Sequence, residues 1–236
     1  MADRLLDEAA LTRSAVVANC AMNRERQLAG PNSYARELGF HPVDRLRSAL
    51  ALGSGAPAPE VGWLDLCCGR GRALRQAAEQ LRAEGLAHRV ALVGVDLVDY
   101  FDPAPAPDPP PRLVCASVTE WAPTGHFDLI TCVHGLHYVG DKLAVLARAA
   151  GWLTDTGLLV ADLDLASIRR PDGSPVGRSL GAALRRAGFR YDARRRRISL
   201  VGRREVALPY TYLGADDRAG PNYTRQPAVD SYYAPH

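Results

Sequence analysis

The stretch Val61-Gly62-Trp63-Leu64-Asp65-Leu66-Cys67-Cys68-Gly69-Arg70-Gly71-Arg72 joins an apolar run to a Gly-x-Gly turn. The run holds a single acidic residue and predicts a buried strand, and the spacing of apolar residues in Ala73–Ala83 predicts a helix after the turn. Glycines let a ligand approach the backbone, and the first N–H groups of a helix have no partner within the helix. The stretch therefore predicts a nucleotide site built from a strand, a turn and a helix.

Two classes of nucleotide site compete for this turn. A dinucleotide fingerprint requires a small residue three positions after the second glycine, where this sequence has Leu74. The pattern Leu-Asp-Leu-Cys-Cys-Gly-x-Gly instead resembles the first motif of class I S-adenosylmethionine-dependent methyltransferases. A glycine turn that binds no ligand is the structural alternative.

Composition and charge limit the class of protein. With 236 residues, 47% of them hydrophobic, the chain can bury one substantial core, and we expect one domain. The net charge of +3 is too small to indicate a polyanionic partner. The charged start and the lack of a long apolar run predict a cytoplasmic protein without a membrane span. Five cysteines, of which only Cys67 and Cys68 are close in sequence, favour reduced thiols and no metal site.

Short helices are predicted before the glycine turn. Apolar residues recur at helical spacing in residues 1–30, a short helix follows Asn32 or Ser33 as its N-cap, and a further helix covers Val43–Leu52. The resemblance implies that these helices cover the cofactor as a lid. Tyr34 would then face the cofactor or the substrate, although a core or surface position is at least as compatible with the sequence. Residues 53–59 predict a linker.

The second strand is predicted over Arg89–Leu97, a nearly continuous apolar run that suits an interior parallel strand. Near its carboxyl end lies Asp96, and a carboxylate there can accept hydrogen bonds from both hydroxyls of a ribose. The sequence Val93-Gly94-Val95-Asp96 also resembles the corresponding motif of the methyltransferases. A role for Asp96 as a turn or cap residue is the alternative.

The proline-rich segment Asp102–Arg112 cannot form a helix and predicts an extended connector, where the family commonly has a helix. A third strand is predicted to follow and to end near Ser117. The resemblance implies that Ser117 and Val118 flank the adenine. Ser117 could also simply turn the chain.

The segment His126–Val139 predicts a fourth strand, whose Phe-Asp-Leu-Ile start is similar to the fourth motif of the family. It brings His134, His137 and Tyr138 to the edge that carries the glycine turn, because ligands of open α/β sheets collect at the carboxyl ends of the strands. A histidine there can take a proton from an attacking hydroxyl or amine. A packing role is equally compatible with either histidine, and a metal site has the least support.

The remainder of the sequence predicts the end of the sheet. A helix over Asp141–Leu153 precedes a strand over Gly157–Leu165, in which Asp162 and Asp164 would lie on the same side. The predictions that follow are a helix, two strands that form a hairpin around Gly202-Arg203, and a packing tail, in the order Pro175–Gly188, Phe189–Val201, Arg204–Leu213 and residues 214–236. The arginine run is expected to be a solvated strand edge rather than a nucleic-acid surface.

The resemblance implies an α/β fold, a doubly wound and mostly parallel seven-stranded sheet of order 3-2-1-4-5-7-6 with an N-terminal helical lid. We expect a lid over residues 1–56, an S-adenosylmethionine-binding core over 57–213 and a C-terminal packing tail over 214–236. The expected cofactor is S-adenosylmethionine, and the expected cofactor-binding residues are Tyr34, Asp65, Cys67, Gly69, Gly71, Asp96, Leu97, Ser117, Val118 and Val133.

The predicted function is methyl transfer to an oxygen or nitrogen nucleophile of a small molecule or peptide, in secondary metabolism. The candidate catalytic residues are His134, His137 and Tyr138. The sequence lacks the motifs of amino-methylating and C5-methylating nucleic-acid enzymes, which makes a nucleic-acid acceptor less favoured. An RNA or protein methyltransferase and a non-catalytic cofactor-binding subunit are the alternatives, and a homodimer is compatible with the sequence.

Overall fold

The protein is described by a computed structural model that covers residues 5–17, 25–53, 60–103 and 107–236. Its larger sheet has seven strands, which are β1 (Val61–Leu66), β2 (Val90–Asp96), β3 (Arg112–Cys115), β4 (Phe127–Cys132), β5 (Leu153–Asp162), β7 (Arg190–Asp192) and β8 (Arg197–Val201). A second sheet has three strands, which are β6 (Ile168–Arg169), β9 (Tyr210–Asp216) and β10 (Asp230–Pro235). Six α-helices accompany them in these ranges: α1 (Glu8–Thr12), α2 (Tyr34–Leu38), α3 (Pro42–Leu52), α4 (Arg72–Ala83), α5 (Lys142–Gly151) and α6 (Arg178–Arg186).

The strand order of the larger sheet is β3-β2-β1-β4-β5-β8-β7. Strands β1 to β5 pair in parallel, and β8 is antiparallel to both of its neighbours. Because β6 belongs to the other sheet, β7 and β8 are the sixth and seventh strands of this one. In that numbering the order is 3-2-1-4-5-7-6, as predicted. The predicted doubly wound fold is confirmed.

Two apolar clusters cover the two faces of the sheet. In β1 successive side chains alternate between them, since Trp63 packs with the residues of α3 and α4 while Leu64 packs with those of α5 and α6. Both side chains are fully buried. Burial on both faces explains why the interior strands are continuous apolar runs in the sequence.

The predicted C-terminal hairpin is wrong in its position. The turn lies at residues 193–196, between β7 and β8, and not at Gly202-Arg203. The segment after β8 leaves the sheet, and β9 pairs antiparallel with β10 near the end of the sequence. The predicted strand Arg204–Leu213 overlaps β9 only from Tyr210 onwards, and a pattern of period two does not tell which strand is the partner.

The two ends of the described chain meet beside the second sheet. Leu6 and Ala215 exchange two backbone hydrogen bonds of 2.8 and 2.9 Å. The ammonium group of Lys142, the only lysine of the sequence, is buried and donates to the carbonyls of Val139 and Val229 and to Ser231 Oγ. The bonds to Val229 and Ser231 fasten the C-terminal segment to the start of α5.

Strand β5 ends three residues earlier than predicted, at Asp162. Asp164 lies beyond it and caps a short 3-10 turn by accepting a hydrogen bond from the amide of Ala166. The expectation that Asp162 and Asp164 share one side of an extended strand is therefore wrong.

Some predictions fall on residues outside the described ranges. Most of the linker over residues 53–59 and the boundary at 56/57 belong to this group, as does Cys20. The boundary at 213/214 falls within β9, and the division into lid, core and tail stays a prediction. The described residues of the proline-rich segment contain no helix, as expected. Within the described part of the chain, no helix is long and apolar enough to cross a membrane.

Candidate functional site

A cavity of about 270 Å³ lies at the carboxyl ends of β1, β2, β3 and β4. This volume is close to the lower end of the range for small-molecule sites, about 300–1,000 Å³. We call it the cofactor cavity. It is lined by Glu8, Leu11, Thr12, Val17, Arg26, Tyr34, Cys67, Cys68, Gly69, Asp96, Leu97, Ser117, Val118, Thr119, Val133, His134, Gly135, Tyr138, Val139, Thr224 and Gln226.

The glycine turn after β1 forms one wall of the cofactor cavity. Cys67, Gly69 and Gly71 all have φ values between +58° and +72°, which is the left-handed region that glycine adopts without strain. Gly71 is the N-cap of α4, and a β-carbon on it would lie 2.8 Å from the Leu113 side chain. The positive φ therefore favours glycine at this position, and the Leu113 side chain would have to shift to admit a β-carbon.

Asp96 joins this turn to the end of β2. Its Oδ2 accepts a hydrogen bond of 2.8 Å from the amide of Gly69, and its Oδ1 accepts one of 3.2 Å from the amide of Val98. The side chain lines the cavity although the residue is only 6% exposed. A fixed carboxylate in a cavity wall suits the vicinal hydroxyls of a ribose.

Asp65 lies behind the cavity in a buried hydrogen-bond chain. Its Oδ1 accepts from Thr131 Oγ1 and its Oδ2 accepts from the hydroxyl of Tyr34, both at 2.6 Å. Thr131 Oγ1 in turn accepts a 2.8 Å hydrogen bond from the indole of Trp63. Burial raises the pKa of Asp65 to about 7, because desolvation disfavours the charged form more than the two donors favour it.

The N-terminal segment reaches the sheet through Tyr34. This residue starts α2, whose N-cap Ser33 accepts a hydrogen bond from the amide of Arg36. The Tyr34 ring packs edge-on against Trp63 at 5.8 Å between centroids, and its hydroxyl reaches Asp65. Tyr34 is 3% exposed and still lines the cavity, so the core and site positions considered for it coincide.

His134 follows β4 and enters the cavity wall from a left-handed backbone position with φ of 59°. Its Nε2 lies 3.4 Å from Oε2 of Glu37, and its amide donates a 3.1 Å hydrogen bond to Oδ2 of Asp162. The hydrogen bond with His134 lowers the pKa of Glu37, while burial raises the pKa of Asp162. The pair with Glu37 assigns the proton of a neutral His134 ring to Nε2 and makes Nδ1 the proton acceptor.

His137 does not line the cofactor cavity. It is 2% exposed, and burial lowers its pKa to about 3. Its ring centroid lies 5.6 Å from that of His134 and 5.3 Å from that of Tyr223. A neutral imidazole with so low a pKa is a hydrogen-bonding group rather than an efficient base at neutral pH.

The structure brings most of the predicted site residues together. The predicted residues that line the cofactor cavity are Tyr34, Cys67, Gly69, Asp96, Leu97, Ser117, Val118, Val133, His134 and Tyr138. Asp65 and Gly71 support this wall from behind, and His137 faces a different cavity. No group of three or more His, Cys, Asp or Glu residues suited to a metal ion occurs in the part of the chain that the structure describes.

Other lining residues were not predicted, because they come from the two ends of the sequence. Glu8, Leu11 and Thr12 of α1 enter from one side, and Thr224 and Gln226 of the C-terminal segment from another. Arg26 was also missed, and its Nη1 lies 3.1 Å from Oε1 of Glu37. No local pattern marks these residues, since their position depends on contacts across the whole chain.

A doubly wound sheet with a glycine turn, an acidic residue at the end of β2 and a cavity at the strand ends defines a nucleotide-binding α/β protein. The methyltransferase domain family matches residues 32–207, which is more than half of the sequence. The chain belongs to this family. The predicted resemblance is thereby confirmed, and the cofactor of the class I members is S-adenosylmethionine.

Solved structures that align with part of this chain include three methyltransferases. A plantazolicin methyltransferase in complex with S-adenosylhomocysteine is 15% identical, with 64% of this chain and 52% of that chain aligned at a TM-score of 0.42. An amino pentose methyltransferase from Micromonospora echinaspora is 22% identical, with 51% and 47% aligned at 0.35. A sugar N-methyltransferase from Streptoalloteichus sp. is 18% identical, with 51% and 46% aligned at 0.34.

The aligned part thus spans about half the length of these structures. No curated protein matches the sequence.

The raised pKa of Asp65 predicts how stability depends on pH. Between its ordinary value of 3.8 and about 7, the unfolded chain has released a proton that the folded protein still holds. The contribution of Asp65 to the free energy of unfolding is therefore full below about pH 4 and is lost as the pH rises to 7. Relative to Asp65→Asn, wild-type stability should fall over this range by roughly 1–4 kcal/mol, measured by urea unfolding.

Tyr34→Phe serves as the second variant. It removes a donor that favours the carboxylate, so the decline should extend to higher pH than in the wild type. Identical pH profiles for wild type and Asp65→Asn would contradict a raised pKa at this position.

Proposed function

We propose that the protein transfers a methyl group from S-adenosylmethionine to an oxygen or nitrogen nucleophile of a small molecule or peptide. The observation that carries this proposal is the convergence of four strand ends on one cavity whose wall contains the Asp96 carboxylate. Family membership supplies the cofactor. We also propose, from the sequence alone, that the protein works in the cytoplasm and in secondary metabolism.

The residues around the cavity fit this cofactor. Asp96 is placed for the ribose hydroxyls, and Ser117 and Val118 follow β3 on the side proposed for the adenine. The Arg26 guanidinium lines the same cavity and is the candidate contact of the methionine end, because a cation suits a carboxylate. When bound, this cofactor supplies a sulfonium methyl group that is already electrophilic.

The task left to the protein is to align the acceptor and to remove its proton. His134 is the best-placed base, because it lines the cofactor cavity and pairs with Glu37. Its Nδ1 is buried and has no hydrogen-bond partner among the described residues. Glu37 is a positioning residue, and Tyr138 is a further group in the same wall.

The arginine run gives little support to a nucleic-acid acceptor. Arg196 pairs with Asp164 at 3.1 Å, and Arg197 donates a 2.8 Å hydrogen bond to the carbonyl of Leu38. Arg195 also lies 3.8 Å from Asp192, so three of the four arginines at 194–197 are engaged within the protein instead of forming a basic stripe. A small-molecule or peptide acceptor remains the proposal, and a homodimer stays a prediction.

Substitution Asp96→Asn tests cofactor binding. The amide keeps the size of the side chain but loses the charge and one acceptor, and a lost charge-assisted hydrogen bond costs about 1.5–3 kcal/mol. We expect the Kd for S-adenosylhomocysteine, measured by isothermal titration, to rise roughly 10- to 150-fold. Asp99→Asn, at an exposed position of the same loop, is the control and should bind like the wild type. Unchanged affinity in Asp96→Asn would refute the assigned ribose contact.

Substitution His134→Ala tests the base. We expect methyl transfer to fall by about 10²–10⁴-fold, the usual contribution of a general base, with little change in the Kd for S-adenosylhomocysteine. The measurement is product formation from radiolabelled S-adenosylmethionine, with an acceptor that the wild type methylates. His88→Ala, at an exposed position before β2, is the control. Full turnover by His134→Ala would remove His134 from the reaction.

A further inference from the structure

A second cavity, which we call the tail cavity, lies between the chain after β5, the turn between β7 and β8, and the C-terminal segment. Its volume of about 330 Å³ falls within the range of small-molecule sites. The polar side chains that matter for its chemistry are His137, Asp164, Arg169, Arg196, Asn222 and Asp230.

The charges around the tail cavity are balanced in pairs. Arg169 Nε lies 2.6 Å from Oδ2 of Asp230, and Arg196 Nη1 lies 3.1 Å from Oδ2 of Asp164. These four side chains therefore offer no unpaired charge to an ionic ligand, which would have to compete with one of the two half-buried pairs. A neutral ligand with several hydroxyl groups can donate to the carboxylates and accept from the guanidinium groups while both pairs stay intact.

Two buried polar atoms beside the tail cavity lack a partner among the described residues, namely Nε2 of His137 and Nδ2 of Asn222. A buried polar atom without a partner costs about 1–3 kcal/mol, so such atoms call for an explanation. A hydroxyl group both donates and accepts, and it can therefore satisfy the neutral imidazole as well as the amide. Tyr223 contacts His137 edge-on, lies 4.2 Å from the Arg196 guanidinium and is 37% exposed, and an outward shift of its ring would open His137 to the tail cavity.

The tail cavity and the cofactor cavity share a wall. His134 lines one and His137 the other, with 5.6 Å between their ring centroids. Tyr223 lines the tail cavity, and the next residue, Thr224, lines the cofactor cavity. A molecule held in the tail cavity thus lies one side chain away from the cofactor cavity.

We propose that the tail cavity binds the methyl acceptor, that the reactive hydroxyl of this acceptor reaches past Tyr223 and Thr224 into the cofactor cavity, and that the acceptor is a neutral, polyhydroxylated small molecule. This inference rests on the proposed function and narrows the nucleophile to a hydroxyl oxygen. In the reaction the acceptor oxygen forms a bond to the methyl carbon, the carbon–sulfur bond breaks with its electron pair left on sulfur, and the hydroxyl proton passes to His134. The products are a methyl ether and S-adenosylhomocysteine, and the imidazolium returns its proton to water.

Saturation-transfer NMR on the full chain, in the presence of S-adenosylhomocysteine, tests the proposal. The neutral probes are methyl α-glucoside and myo-inositol, and the comparison probes are tyramine as a cation, gallate as an anion and an uncharged capped tripeptide. We expect saturation transfer to the neutral polyols and at least tenfold less in Ala166→Trp, which fills the cavity from an exposed position. Ala51→Trp, exposed on α3 and outside both cavities, is the matched control and should behave like the wild type.

Each outcome decides a separate point. Selective binding of tyramine, gallate or the tripeptide at the Ala166-sensitive site would overturn the neutral class. If titration shows that cofactor binding is intact, either of two results would overturn the acceptor site. One is no saturation transfer to either polyol, and the other is equal transfer in Ala166→Trp and the wild type. Loss of cofactor binding in the wild type would instead refute the proposed function itself.

Discussion

The hydrogen bond from the Gly69 amide to the Asp96 carboxylate is the contact on which the geometry of the site depends. At 2.8 Å it ties the turn after β1 to the end of β2, while the same carboxylate lines the cofactor cavity. The parallel arrangement of β1 to β4 then brings the residues after each strand to one edge. One constraint therefore shapes the turn and places the charged group that a ribose requires.

Residues from the N-terminal and C-terminal segments complete the walls of the cofactor cavity. Tyr34 anchors the N-terminal segment through Asp65, and Leu6 pairs with Ala215 of β9. Lys142 holds the C-terminal segment through two hydrogen bonds, to the carbonyl of Val229 and to Ser231 Oγ, and burial lowers the pKa of this amine to about 7. The sheet thus supplies the proposed cofactor contacts, and the two ends supply the walls in which the acceptor would be enclosed.

Local patterns predicted the parts of the fold that depend on neighbouring residues. The glycine turn, the apolar runs and Asp96 were readable because backbone conformation and two-sided burial restrict the residue types at these positions. Three features could not be predicted, since each depends on packing between distant segments. They are the partner of β9, the early end of β5 and the separation of His137 from the cofactor cavity. Glu37 meets Arg26 and His134 only in the folded chain, which explains why no spacing in the sequence revealed this group.

The central claim is that the edge formed by β1, β2, β3 and β4 holds S-adenosylmethionine beside His134. A crystal structure with S-adenosylhomocysteine tests it most directly. The account predicts both ribose hydroxyls within hydrogen-bond distance of the Asp96 carboxylate, the adenine beside Ser117 and Val118, and the thioether sulfur on the His134 side of the cavity. A nucleoside bound away from Asp96, or a sulfur directed away from His134, would contradict it.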